Sequence, residues 1–157
     1  MTRQRVYIET TVVSYLTAWT SRDVVRVAHQ QLTRDWWRHR DRFDLFVSEA
    51  VLQEAGAGDP SAAADRLSAL RGIPILNVTP EAGDLAKRLL RNHALPAVAA
   101  ADALHVAIAA MSGMHFLLTW NCKHIANAAT RSRIEQSCRL SGFAPPIICT
   151  PEELNEE

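Results

Sequence analysis

Asp102 lies in residues 99–110, AAADALHVAIAA, a run of small and aliphatic residues that reads as a core helix. An ionised carboxylate in such surroundings costs on the order of several kcal/mol unless a cation or several donors meet it. No Lys or Arg occurs between Arg91 and Lys123, so no neighbouring side chain is an obvious neutraliser. A bound metal ion is the economical explanation if other oxygens converge on it.

Three further residues offer such oxygens. Glu9 ends the strand-like run Val6-Tyr7-Ile8, and Asn121 follows a later strand through Thr119 and Trp120. Glu54 stands amid Val51, Leu52 and Ala55, with Glu49 one turn earlier as a competitor for the same role. Carboxylate and amide oxygens suit hard cations, here Mg²⁺ or Mn²⁺. Each residue has a plainer reading. Glu9 can accept backbone N–H bonds at a helix start, Glu54 can be a solvated helix residue, and Asn121 can form a turn. His105 lies one turn after Asp102 on the same helix face, and His124 lies three residues after Asn121. They allow a different chemistry, a metal-free ribonuclease with two histidines as acid and base. The plainer reading has His105 orienting Asp102 and His124 at a helix start.

The elements that must position these groups alternate between strand and helix. Val6-Tyr7-Ile8 is the first strand, and Thr10 or Thr11 is placed to cap a helix with Val13, Leu16 and Ala18. A long helix from Arg22 to about Arg40 follows, with Val24, Val25, Ala28 and Leu32 on one side. Phe43 to Val47 alternates as a strand, Ser48 caps the helix of Glu54, and Asp59-Pro60 opens another helix. Ile73 to Val78 is a third strand whose proline favours an edge. Thr79-Pro80-Glu81 starts a helix, the Asp102 helix runs from about Pro96 to Met111, and His115 to Thr119 is a fourth strand. Helix returns between Lys123 and Leu140, and Pro146-Ile147-Ile148 is a last short strand. This order predicts an α/β fold with a mainly parallel central sheet of four to five strands flanked by helices. Ligands of such sheets bind beyond the carboxyl ends of the strands, where Glu9 and Asn121 fall.

The 157 residues suit one domain with a real core, and 48% hydrophobic with 22% charged residues marks an ordinary globular chain. No apolar stretch is long enough to cross a bilayer, and Met1-Thr2-Arg3-Gln4-Arg5 with the broken run after it does not read as a signal peptide. Cys122, Cys138 and Cys149 are odd in number and lack a zinc spacing, which fits a reducing cytoplasm and apolar packing. Lys+Arg and Asp+Glu balance at 17 each, so nucleic acid would need a local patch. Arg22, Arg26, Arg34, Arg38, Arg40 and Arg42, then Arg131, Arg133 and Arg139, are the candidates. In Trp36-Trp37 one ring is expected in the core and the other partly exposed, at a dimer or partner interface or on a base; His29 and His93 read as surface.

Residues 6–13 (VYIETTVV), Ser48 with Glu54, residues 102–109 (DALHVAIA) and residues 118–121 (LTWN), in this order, resemble the motifs of a PIN-domain nuclease of the VapC-like toxin group. The resemblance spans nearly the whole chain. It implies a three-layer PIN fold over residues 1–157, an acidic Mg²⁺ or Mn²⁺ site, and endonucleolytic hydrolysis of RNA. It carries Glu9, Glu54 and Asp102 onto the principal acidic positions, as metal ligands, and Asn121 onto the fourth. Two positions depart from the family pattern: Glu9 where Asp is usual, and Asn121 where Asp is frequent. Thr10, Ser14, His105, Thr119, Lys123 and His124 become possible substrate contacts or supports of the acids. The resemblance further implies a cognate antitoxin and a homodimer. The runner-up is a catalytically weak or inactive PIN module that binds RNA or a partner protein. A phosphatase on a similar scaffold lacks support, because no Asp-x-Asp motif follows the first strand.

Overall fold

The computed structural model describes residues 2–155. Its frame is a sheet of five strands, all parallel. In chain order these are β1 (Arg5–Ile8), β2 (Asp44–Ser48), β3 (Ile75–Leu76), β4 (Phe116–Leu118) and β5 (Ile147–Cys149), in the spatial order β3-β2-β1-β4-β5. Tyr7 pairs with Phe46 on one side and Leu117 on the other. Val6, Tyr7 and Ile8 are all fully buried, as expected of a central parallel strand covered on both faces. The chain winds away from β1 in both directions, through β2 to β3 and through β4 to β5. The crevice at the carboxyl end of β1 is therefore the switch point of the sheet.

Seven helices flank it: α1 (Thr10–Thr17), α2 (Val24–Arg38), α3 (Glu49–Ala55), α4 (Pro60–Ala69), α5 (Pro80–Arg91), α6 (Ala100–Met111) and α7 (Ala128–Leu140). Short 3-10 turns precede β2 and α6. Ser48, Asp59 and Thr79 cap α3, α4 and α5 through their side chains, as the sequence predicts. The cap of α1 is a correction. Glu9, not Thr10 or Thr11, occupies the N-cap and accepts the Thr11 N–H.

The face of α2 is a second correction. Val24 and Val25 are 80% and 61% exposed, while Gln30, Thr33 and Trp36 turn inward. Gln30 donates to the Trp19 carbonyl and accepts the Ser21 N–H, which anchors the loop before α2. Thr33 donates to the His29 carbonyl and accepts the Trp120 indole N–H. His29 is not a free surface residue either; it stacks on Trp120 with ring centroids 4.0 Å apart. Trp36 is fully buried and Trp37 partly so, with the Arg40 guanidinium over the Trp37 ring. The third strand shrinks to two residues. Of the cysteines, Cys138 and Cys149 are buried while Cys122 is exposed. No helix among the described residues is long and apolar enough to cross a membrane.

Candidate active site

The four oxygen-bearing residues arrive from four elements. Glu9 follows β1, Glu54 lies in α3, Asp102 in the first turn of α6, and Asn121 just beyond β4. Of the first three, Glu54 bonds the buried His105 directly, and the charges of Glu9 and Asp102 also favour the protonated ring. Glu49 is not part of this group, since its carboxylate turns the other way and accepts the Val78 N–H at 2.9 Å.

Glu9 is 3% exposed, and its carboxylate is well supplied with donors. The hydroxyls of Thr11 and Thr119 both donate to Oε1, and the Thr11 N–H donates to Oε2. The same two hydroxyls accept backbone N–H bonds, Thr11 from Trp120 and Thr119 from Asn121. Each threonine thus locks the acid to the turn after β4. The reading of Glu9 as an acceptor of N–H bonds at a helix start therefore holds in the protein alone.

Glu54 is 40% exposed and is held through Oε1 alone, by the Thr10 hydroxyl at 2.9 Å and by His105 Nε2. Partial burial raises its pKa, but the His105 hydrogen bond and charge and the Thr10 hydroxyl outweigh this and leave it below the usual range. Burial pushes the His105 pKa down, yet its bond to Glu54 and the surrounding acids carry it above the ordinary histidine value. His105 therefore supports Glu54, not Asp102.

Asp102 has a hydrogen-bond partner that its own helix does not contain. His124 Nδ1 lies 2.9 Å from Asp102 Oδ2, each side chain 20% exposed. The His124 backbone N–H donates to Asn121 Oδ1, so Asn121 forms the turn that brings His124 to Asp102. Ser14 and Lys123 stand apart from the acids. The Ser14 hydroxyl donates to the Thr10 carbonyl, and its side chain lines a groove of about 440 Å³ with Tyr15, Trp19, Arg26 and Gln30. Lys123 is exposed. Three of the candidate arginines are paired with acids. Arg38 pairs with Asp35, Arg139 with Glu135 and Arg131 with Glu153.

The donor set suits a hard cation in its chemistry. Among the described residues, Glu54 Oε2 and Asp102 Oδ1 have no protein partner, so each acid is anchored by one oxygen and offers the other. No three His, Cys, Asp or Glu side chains among the described residues stand close enough to hold a metal ion by themselves. Mg²⁺ is commonly bound by one or two carboxylates, with water and phosphate oxygens completing the shell.

The chain belongs to the PIN-domain family, whose model matches residues 6–124. The structure of VapC20 from Mycobacterium tuberculosis, described as a toxin that cleaves the sarcin–ricin loop, is similar at a TM-score of 0.56 and 17% identity over 71% of this chain and 86% of that one. A VapBC2 structure from Rickettsia felis, described as bound to a DNA fragment from its promoter, is similar at a TM-score of 0.61 and 14% identity over 94% of this chain and 98% of that one. At these identities the likeness establishes the fold. No curated protein sequence matches the chain significantly.

Proposed function

We propose that this single PIN domain is a divalent-cation-dependent endoribonuclease that hydrolyses phosphodiesters to leave 5′-phosphate and 3′-hydroxyl ends. The observation that carries the reading is the hydrogen-bonded chain at the switch point of the sheet, in which Thr10 meets Glu54, Thr119 joins Glu9 to Asn121, and His124 joins Asn121 to Asp102, so that acids from three separate elements share one network. Mutually repulsive carboxylates gathered at one place are a cost to the fold unless a cation or a reaction uses them. Glu54 Oε2 and Asp102 Oδ1 would hold Mg²⁺ or Mn²⁺, with Glu9 and Asn121 at its margin. The ion would supply Lewis-acid polarisation of the scissile phosphate and make water more acidic. Thr11 and Thr119 fix Glu9, Thr10 and His105 fix Glu54, and His124 fixes Asp102. Lys123, which is exposed, and the partly exposed His124 would meet RNA phosphates.

A two-histidine reaction fits less well. Both ring nitrogens of His105 are engaged, by Glu54 and Tyr7, and the ring is 1% exposed. One observation favours a non-catalytic RNA- or protein-binding module instead. Asn121 Oδ1 is already used by the His124 N–H, and Glu9 is already rich in donors.

The VapC-type fold, together with neighbours described as a toxin and as a VapBC pair, supports the toxin of a type II toxin–antitoxin pair, acting in the cytoplasm as a homodimer with a cognate antitoxin. The test is cleavage of structured and single-stranded RNAs by the purified chain with Mg²⁺, Mn²⁺ or chelator. Cleavage stopped by chelator and by Asp102→Asn, with 5′-phosphate products, is expected. Cyclic phosphate ends in chelator would favour the histidine route. Absence of both cation binding and cleavage would favour the binding module.

A further inference from the structure

Behind the Glu54–His105 bond lies a closed hydrogen-bonded circuit that reaches Tyr7 and Ser48. Ser48 Oγ accepts the Val51 N–H at 3.2 Å and so caps α3, the helix that carries Glu54. Ser48 Oγ is also 2.7 Å from the Tyr7 hydroxyl, which is 2.7 Å from His105 Nδ1. His105 Nε2 bonds Glu54 Oε1, and α3 returns the path to Ser48. Tyr7 and Ser48 are 0% exposed and His105 1%, so water cannot replace a missing member.

A purely structural core could be apolar here at little cost. Replacing hydrogen-bonded buried groups by apolar ones of the same shape can be nearly neutral, whereas a fully satisfied network fixes one arrangement and a half-satisfied one is costly. The circuit touches solvent only at its Glu54 end. Because His105 and Thr10 both bond Oε1, the circuit also decides which oxygen of Glu54 is tied down and which is offered.

We propose, resting on the nuclease reading above, that Tyr7, Ser48 and His105 are positioning residues that hold Glu54 Oε1 so that Oε2 alone serves the cation and the substrate. His105 acts as the rigid link, and Tyr7 fixes the plane of its ring. Ser48 ties that plane to the helix that bears the acid. Removing the Tyr7 hydroxyl leaves the imidazole free to turn and Glu54 free to rotate.

The test compares wild type with Tyr7→Phe, His105→Gln and His105→Leu, reading kcat and KM for RNA cleavage and Mn²⁺ affinity by electron paramagnetic resonance. Supports of metal ligands typically change affinity or activity about 10- to 100-fold. Tyr7→Phe is expected to lower kcat and Mn²⁺ affinity by about that range, with KM for RNA within about twofold. His105→Gln keeps an amide donor near the place of Nε2, so it retains most activity where His105→Leu does not. In the His105→Gln background Tyr7→Phe then has little further effect. Should Tyr7→Phe not fold, Ser48→Gly carries the same test, since glycine caps a helix within a few tenths of a kcal/mol of serine. A folded variant with lower Tm but unchanged kcat and Mn²⁺ affinity overturns the positioning role and leaves the nuclease standing. A wild-type chain that neither cleaves RNA nor binds Mn²⁺ overturns both.

Discussion

Replacing Glu9 by alanine separates anchoring from chemistry at the acid that departs most from the family pattern. The side chain caps α1 and draws hydroxyls from Thr11 and Thr119, tying the turn after β1 to the turn after β4. Loss of an N-cap costs about 1 kcal/mol. Each hydroxyl bond to a carboxylate is worth about 1.5 kcal/mol. Against a sum of about 4 kcal/mol, relief of repulsion from Glu54 and Asp102 returns about 1 kcal/mol. The net loss of about 3 kcal/mol lowers Tm by roughly 6–12 °C in a chain of this size. Glu9→Gln keeps a carbonyl acceptor for the hydroxyls and loses only the charge, so Tm should fall by roughly 2–4 °C. Cleavage should be lost in both. Differential scanning calorimetry in chelator reads the stability without cation binding, and a double-mutant cycle with Thr119→Val isolates the cross-turn bond at about 1–2 kcal/mol. If Glu9→Ala melts within about 2 °C of wild type, or if the cycle gives no coupling, Glu9 does not anchor the turn.

The Glu54–His105 pair makes stability depend on pH in a definite direction. Glu54 is lowered from 4.5, so its contribution is present above that value and fades as pH falls through the lower folded value. His105 is raised from 6.5, so its contribution is full below that value and fades as pH rises through the higher folded value. Urea unfolding in chelator should therefore show the margin of wild type over His105→Gln narrowing on going from about pH 5.5 to about pH 8.5. A margin that widens with pH contradicts the assignment. Trp36 is fully buried, stacks on Phe43 and donates its indole N–H to the Leu154 carbonyl at 3.1 Å. Trp36→Phe should cost about 1–2 kcal/mol. It should also hasten proteolysis at the C-terminal segment, read by mass spectrometry of the first cleavage products. His124→Ala should weaken cleavage about 10- to 100-fold through Asp102 and loosen Mn²⁺ binding. Unchanged Mn²⁺ affinity would show that His124 does not set the carboxylate.

The sequence announces those parts of the fold whose causes are local. Ser48, Asp59 and Thr79 cap the helices expected of them because a cap needs only the next three residues. The buried run of β1 and the order of strands and helices follow from short hydrophobic patterns. The inward face of α2 does not, since Gln30 and Thr33 are buried against the polar pattern by bonds to the loop at Trp19 and Ser21 and to Trp120. The acids Glu9, Glu54 and Asp102 are legible as candidates from their position at strand ends or in apolar helices. Their partners are not. His124 meets Asp102 across 22 residues through a turn, and Tyr7 meets His105 across 98. Neither spacing carries a periodic signal.

The two outer strands of the sheet have a consequence for how this chain can be recruited. β3 has two residues and follows Pro74, and β5 has three and follows Pro145 and Pro146. Short borders with prolines beside them give an incoming strand few amides to pair with. Strand addition is therefore a poor route for a partner and for self-templated fibril growth alike. A partner that docked on the helical layers instead would be selected by side-chain shape rather than backbone pairing, and selectivity of assembly would then be a property of the sequence on those helices.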